Sequence, residues 1–288
     1  MKARKGSLLF AIFVMLTACF SPPEFSTTPE IDFSCIYFRP GNADEPTDSL
    51  VVTISFKDGD GDLGLGNFID DPYQDVFYAL GDNGNLVEVS KETKIPGLPQ
   101  FVKIPPGSKG KLITTRSLQN PLYAAQLPAF VNENESCKDY PRQTIYVSEA
   151  DAPKILDSSF PNIDTVVTGN LPKYYKVNDL FYKQNNPKHR NIEVEYYIRQ
   201  SNGEYVLYDW EKEFCEAAFD ERFPILTEQE GPLQGNLTYA MTSSGFDEIF
   251  SIKTLKLRIR IRDRAFNVSN DVETGDFTLD KIKQKSCR

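Results

Sequence analysis

The chain has 288 residues, with 32 Lys and Arg against 41 Asp and Glu and a formal net charge of −9 at pH 7. So acidic a chain repels phosphate backbones, which excludes nucleic acid as a natural partner. Hydrophobic residues at 40% and aromatics at 12% supply a real core and exclude a disordered chain, and 19 prolines and 17 glycines favour turns over long helices.

Lys2, Arg4 and Lys5 form a positive start, and the apolar run from Leu8 to Leu16 is too short to span a bilayer. Leu16-Thr17-Ala18-Cys19 then matches a bacterial lipobox. Residues 1–18 read as a lipoprotein signal peptide, and Cys19 reads as the lipidation site. No later segment is apolar enough to cross a membrane, so the lipid is expected to be the only membrane anchor. Without the three signal cations the net charge becomes −12. Residues 19–30, rich in Pro, Ser and Thr, read as a semi-extended tether. Four further cysteines, Cys35, Cys137, Cys215 and Cys287, allow two disulfides in an exported protein, with three pairings open.

Alternation then predicts strands. Ile31 to Phe38 is the first, and Leu50 to Phe56 the second, with Leu50, Val52, Ile54 and Phe56 on one face and Val51, Thr53 and Ser55 on the other. Ile192 to Arg199 is the third, and the Ser201-Asn202-Gly203 turn returns it into Tyr205–Asp209. Leu233, Leu237, Tyr239 and Met241 mark the next strand. Thr254 to Arg262 places Leu255, Leu257, Ile259 and Ile261 inside and Lys256, Arg258, Arg260 and Arg262 outside. Val272 to Leu279 closes the set, with a phase slip near Gly275 that suggests a bulge.

Seven strands in this order predict an all-β fold: an immunoglobulin-like antiparallel β-sandwich formed by residues 31–66 and 191–280. Residues 67–190 become a large insertion between the second and third strands, read as a β-rich subdomain because so long a structureless loop is unusual. Within it, Val76–Leu80 is expected to pair with Leu86–Val89, and Phe101–Ile104 with Lys111–Thr115.

The sharpest chemical motif is Asp58-Gly59-Asp60-Gly61-Asp62-Leu63-Gly64. Carboxylates at alternate positions of a glycine-rich turn can fold around one hard cation, and Asp58, Asp60 and Asp62 supply three of the six to eight oxygens that calcium wants. The loop is not an EF-hand: a strand precedes it, and Leu63 and Ile69 stand where glycine and the bidentate glutamate belong. A solvated, metal-free acidic turn is the plainer alternative. A second stretch, Asp263-Arg264-Ala265-Phe266-Asn267-Val268-Ser269-Asn270, follows the sixth strand. In an immunoglobulin-type sandwich these two connections share a pole, so Asp263 and Asn267 are expected to join Asp58, Asp60 and Asp62 around one structural Ca2+.

Together the lipobox, Pro29-Glu30-Ile31, the DGDGDLG loop and the late Asp-Arg-Ala-Phe-Asn-Val-Ser-Asn turn resemble a group of Bacteroidota outer-membrane lipoproteins without an agreed activity. The second turn is also similar to the last hairpin of bacterial immunoglobulin-like and cadherin-like repeats. The resemblance covers the two ends but not 67–190. It implies an outer-membrane location, periplasmic or surface-exposed, and a role as accessory subunit on an outer-membrane β-barrel complex. It also implies O-glycosylation at Asp48-Ser49-Leu50 and Asp164-Thr165-Val166.

The aromatics Tyr174, Tyr175, Phe181, Tyr182, Tyr196, Tyr197, Tyr205, Tyr208 and Trp210 suggest either a glycan-stacking platform or ordinary sheet packing, with packing favoured. Glu193 and Glu195 are expected to face the arginines of the neighbouring strand. His189, the sole histidine, sits in a turn-like stretch where a general base lacks a fixed partner, and no nucleophile or zinc motif is present. The expectation is a membrane-tethered, non-catalytic binding or scaffold lipoprotein. The alternatives are a carbohydrate-binding lipoprotein of a glycan-uptake system and, less favoured, a glycoside hydrolase, whose two carboxylates any acidic chain could offer.

Overall fold

The computed structural model describes residues 23–66, 73, 76–92, 96–131, 137–160, 162–167, 169–184, 186, 188–214, 219, 221–284 and 286–287. The strands in chain order are β1 (Glu30–Arg39) and β2 (Asp48–Asp58). Then come β3 (Val76–Gly81), β4 (Leu86–Glu92), β5 (Phe101–Lys103), β6 (Gly110–Leu112), β7 (Arg142–Ser148), β8 (Ile163–Val166), β9 (Tyr174–Leu180) and β10 (Lys183–Gln184). The last five are β11 (Ile192–Arg199), β12 (Tyr205–Tyr208), β13 (Leu233–Ser243), β14 (Leu255–Ile261) and β15 (Val272–Glu273).

One sheet has the order β1-β2-β13 and a second the order β12-β11-β14-β15, with every pairing antiparallel. This is the expected immunoglobulin-like sandwich, and the predicted alternation explains it. Leu255, Leu257, Ile259 and Ile261 all point inward and are at most 1% exposed. They meet Leu50, Val52, Ile54 and Phe56 of the facing sheet in one continuous core. Each such side chain contributes about 1.5–3 kcal/mol on leaving water. Tyr196 on β11 sits at the centre, ringed by Trp210, Phe219, Phe246 and Phe250, and its hydroxyl reaches Met241 Sδ at 2.9 Å.

On the opposite face of β11 and β14, Glu193 stands across from Arg260 and Glu195 across from Arg258. Arg258 and Arg260 reach Glu195, and Arg260 and Arg262 reach Glu193, giving the expected charge ladder. The last strand is shorter than predicted. After β15, Gly275 turns at φ +68°, and the chain regains a single bridge at Phe277–Leu255, which places the predicted bulge. On β2, Val51 lies on the face away from the sandwich core, as the alternation predicts, but is buried there as well.

Between β2 and β11, the insertion builds two further sheets around a second cluster of buried apolar residues, all lying between Phe77 and Phe181. The β3–β4 hairpin forms as expected. The second expected hairpin does not: β5 adds to β4 and β6 adds to β3, so these segments extend opposite sides of the first hairpin instead of pairing together. The hairpin offers both segments a ladder and an apolar face, whereas each other would offer only three residues.

The Cys35–Cys287 disulfide joins residues 252 apart, with Cα atoms at 6.1 Å. A register shift between Phe33 and Cys35 interrupts β1 beside it. The C-terminal tail bridges Phe38 through Lys283 and donates from the Gln284 N–H to the Phe38 carbonyl. It thus covers part of the outer edge of β1, which would otherwise offer unpaired backbone. Cys137 is buried and also disulfide-bonded. Cys19 and Cys215 lie outside the described residues. Replacing Cys287 by Ser should lower the unfolding free energy by about 2–4 kcal/mol, read from denaturant titration of the oxidised protein. An unchanged midpoint would mean the bridge adds nothing to stability.

Candidate metal centre

The two acidic connections meet at one pole, as the strand order requires. Leu63 bridges Asp263, the Arg264 N–H donates to the Asp62 carbonyl, and the Ala265 N–H donates to Asp62 Oδ2 at 2.9 Å. Asp58, Asp62 and Asp263 each bring a carboxylate oxygen within 4.8 Å of the others.

Satisfaction of these oxygens is uneven. Asp58 is 0% exposed; its Oδ2 accepts the Asp62 N–H at 3.1 Å, but its Oδ1 has no partner. Oδ1 of Asp60 and Oδ1 of Asp62 are also buried and unpartnered among the described residues. The far end of the same strand is a control. Asp48 is buried too, yet its two oxygens accept the Gly41 and Asp247 N–H groups. The buried Asp179 is likewise paired, to Arg116. Native proteins rarely leave buried carboxylate oxygens orphaned, and three at one point are a donor set that suits a cation.

Electrostatics agree with geometry. Burial first, then the charges of Asp60, Asp62 and Asp263, push the Asp58 carboxyl up to about 7. Burial, then Asp263 and Asp60, push Asp62 up to about 6. Burial also raises Asp263, against the hydrogen bonds from Asn267 that lower it.

Asn267, expected as a ligand, braces Asp263 through its nitrogens. Its N–H donates to Asp263 Oδ1 at 2.7 Å and its Nδ2 donates to Asp263 Oδ2 at 2.8 Å, so it is a positioning residue for that carboxylate. Asp60 falls outside the tight trio but stands next to it.

Much of the support was not legible in the sequence. Residues 221–231 cross beneath the loop: the Leu65 and Gly66 N–H groups donate to the Phe223 carbonyl, Leu226 donates to Leu63, and Gly231 donates to Asp60. Asn191 fixes that segment by accepting the Phe223 N–H. Gly64, at φ +97°, lies so close to the segment that a Cβ would stand 2.2 Å from the Pro224 carbonyl oxygen. Phe266 has φ +70°, the one positive value among described non-glycine residues. Its ring is gripped from both ends of the insertion, by the Tyr73 ring at 5.6 Å and the Lys188 ammonium at 4.3 Å. Tyr73 also donates its hydroxyl to the Arg264 carbonyl. A non-glycine left-handed residue costs about 1–3 kcal/mol and persists where its surroundings over-determine it.

His189 does have fixed partners. Arg222 donates to its carbonyl and, through Nη2 at 2.8 Å, to its Nδ1, while Nη2 also reaches the Tyr73 carbonyl at 2.7 Å. The same Nδ1 also lies 2.9 Å from the Tyr73 carbonyl, so the imidazole is held between the guanidinium and that carbonyl. The aromatics do not share one platform: Phe181 belongs to the insertion core and Tyr196 and Trp210 to the sandwich core. Ser49 of the first glycosylation pattern is buried in β2, whereas Thr165 is exposed. No helix among the described residues is long and apolar enough to cross a membrane.

Comparison with family models, with curated proteins and with solved structures returns no match. The molecule is therefore defined by its own geometry: an immunoglobulin-like sandwich with a buried carboxylate cluster at one pole.

In chelator the cluster should make stability fall with pH. The folded chain holds protons on Asp58 and Asp62 where the unfolded chain has lost them, between about pH 4 and the raised values of about 6 and about 7. Asp58→Asn removes that penalty, so its unfolding midpoint should overtake wild type progressively across the window. A constant gap from pH 4 to 7 would contradict the crowding.

Proposed function

We propose that this chain is a lipid-anchored, non-catalytic binding or scaffold module of the outer membrane whose pole is clipped by a bound calcium ion. The observation that carries the clip is the convergence of Asp58, Asp62 and Asp263, with buried, donorless oxygens on Asp58 and Asp62. Asp60 lies beside them, and the donors are all oxygen, a hard set suited to calcium rather than to zinc. Bound there, the ion would supply charge neutralisation and nothing chemical. Asp58, Asp60 and Asp62 would hold it from the first loop and Asp263 from the second, with Asn267 orienting Asp263.

The clip has a task because both roots of the insertion rest on the same turn. Tyr73 and Lys188 pack on Phe266, three residues beyond Asp263. Fixing that turn to the first loop fixes where residues 67–190 leave the sandwich and return. A module that presents an insertion at a defined angle suits a scaffold or docking role on a larger membrane assembly. The anchor rests on the lipobox, and the accessory role on a β-barrel complex rests on the resemblance of the two acidic turns.

Thermal melting should separate a metal site from a solvated turn. At a hundredfold excess over the dissociation constant calcium adds about 2.7 kcal/mol, an upward shift on the order of 5–10 °C over chelator. Asp62→Asn should lose most of it, and Asp60→Ala part of it. Identical wild-type melting in both buffers would leave only the solvated turn.

Cys19→Ser should leave the chain unprocessed or released from membranes, and wild type solubilised from native membranes should retain a β-barrel partner that the variant lacks. Normal processing and membrane retention of Cys19→Ser would defeat the anchor. Retention of wild type on a glycan resin with no protein partner would favour the carbohydrate-binding alternative.

A further inference from the structure

We infer that the acidic pole is the face turned toward the bilayer, with the chain leading back to Cys19 built into it; this rests on the lipid-anchor reading above. The last part of the expected spacer is docked rather than free. The Phe25 and Ser26 carbonyl oxygens lie 2.5 and 2.8 Å from where a Cβ on Gly59 would stand, so the first acidic loop has no side chain there because the tether crosses it. Asn267 of the second acidic turn reaches the Thr27 carbonyl through Nδ2 at 3.4 Å. Pro29 is buried. Asn270 then clamps Ile31 on both sides, accepting its N–H at 2.9 Å and donating to its carbonyl at 2.8 Å. The tether thus touches both loops that form the carboxylate cluster.

Chain length sets the consequence. Phe25 stands six residues after Cys19, a reach of at most roughly 20 Å when fully extended. The sandwich strands run from this pole to the other, and β2 with its 11 residues spans about 36 Å at ~3.3 Å per residue. A lipid on Cys19 therefore holds the acidic pole close to the headgroups while the opposite pole, with the Ser201–Gly203 turn, points away. Both roots of the insertion, at Gly66 and Asn191, leave from the membrane side. The surface presented to the bilayer is a hollow lined by Asp60, Asp62, Glu228 and Glu230 with Arg264 as its one cation. Anionic headgroups repel such a surface, so the pole approaches an anionic bilayer only with a divalent cation in the cluster to offset the repulsion.

The test uses the full-length acylated protein reconstituted in vesicles of anionic phospholipid doped with a headgroup-linked quencher. A small fluorescent residue replaces Glu230 at the acidic pole or Asn202 at the opposite one, both exposed positions. With calcium, quenching at 230 should exceed that at 202 several-fold, and chelator should reduce it. Gly59→Ala, which pushes the tether off its track, should narrow the difference between the two positions. Equal quenching at both, or stronger quenching at 202, would overturn the inference. The mass of the N-terminal peptide reports acylation separately: a chain without acyl groups defeats the anchor reading and this inference with it, whereas an acylated chain lying the other way defeats the inference alone.

Discussion

Asp58 Oδ1 is out of water and has no donor, and three further carboxylates stand around it. Two like charges about 4 Å apart repel by on the order of 4 kcal/mol at the effective dielectric of a protein surface. Leaving such a group unpaired adds a desolvation penalty of several kcal/mol. The chain needs either protons or a cation there, and every element that reaches the pole is arranged around that need. The end of β2 delivers Asp58, the turn after β14 delivers Asp263, residues 221–231 brace the loop, and residues 25–27 touch both connections. The contrast with Asp48, satisfied at the other end of β2, shows that this backbone can supply donors to a buried aspartate where it is built to.

Away from the pole the sandwich is held by ordinary means. Its core is aliphatic along β2 and β14 and aromatic around Tyr196, and the outer face of β11 and β14 carries a ladder of paired charges. Partly exposed pairs of this kind contribute little singly, but in a ladder they fix register, because a one-residue slip would set each glutamate against the apolar face. The Cys35–Cys287 bridge ties the first strand of the body to its last residues. Stabilisation is thus spread over the sheets, while the acidic pole is the place where local charge opposes the fold.

How much could be read beforehand depended on the range of the interaction. The strands of the sandwich were legible because alternation is a local property: Ile192–Arg199 appears with its predicted bounds, and the inward set of β14 is buried as expected. The meeting of the two acidic turns was legible only through the sandwich assignment, since more than 200 residues separate Asp58 from Asp263. The pairing of β5 and β6 was not legible, because short segments choose partners by the ladder and apolar face offered, and adjacency in sequence was a poor guide. Asn267 was read by residue type as a ligand; that its two nitrogens brace Asp263 was not legible, because it depends on the turn's backbone geometry.

By itself the sequence determined the alternating strands, the charge balance and the presence of three aspartates in a glycine-rich turn. Those are matters of residue type and short spacing, carried by the backbone period and by local sterics. Only the tertiary structure decided that Asp263 joins Asp58 and Asp62, that Asp58 loses its water, that residues 221–231 underpin the loop, and that Phe25 and Ser26 lie on Gly59. Burial and long-range contact are collective: they depend on which faces end up opposed once both sheets have closed, and no window of sequence contains that information.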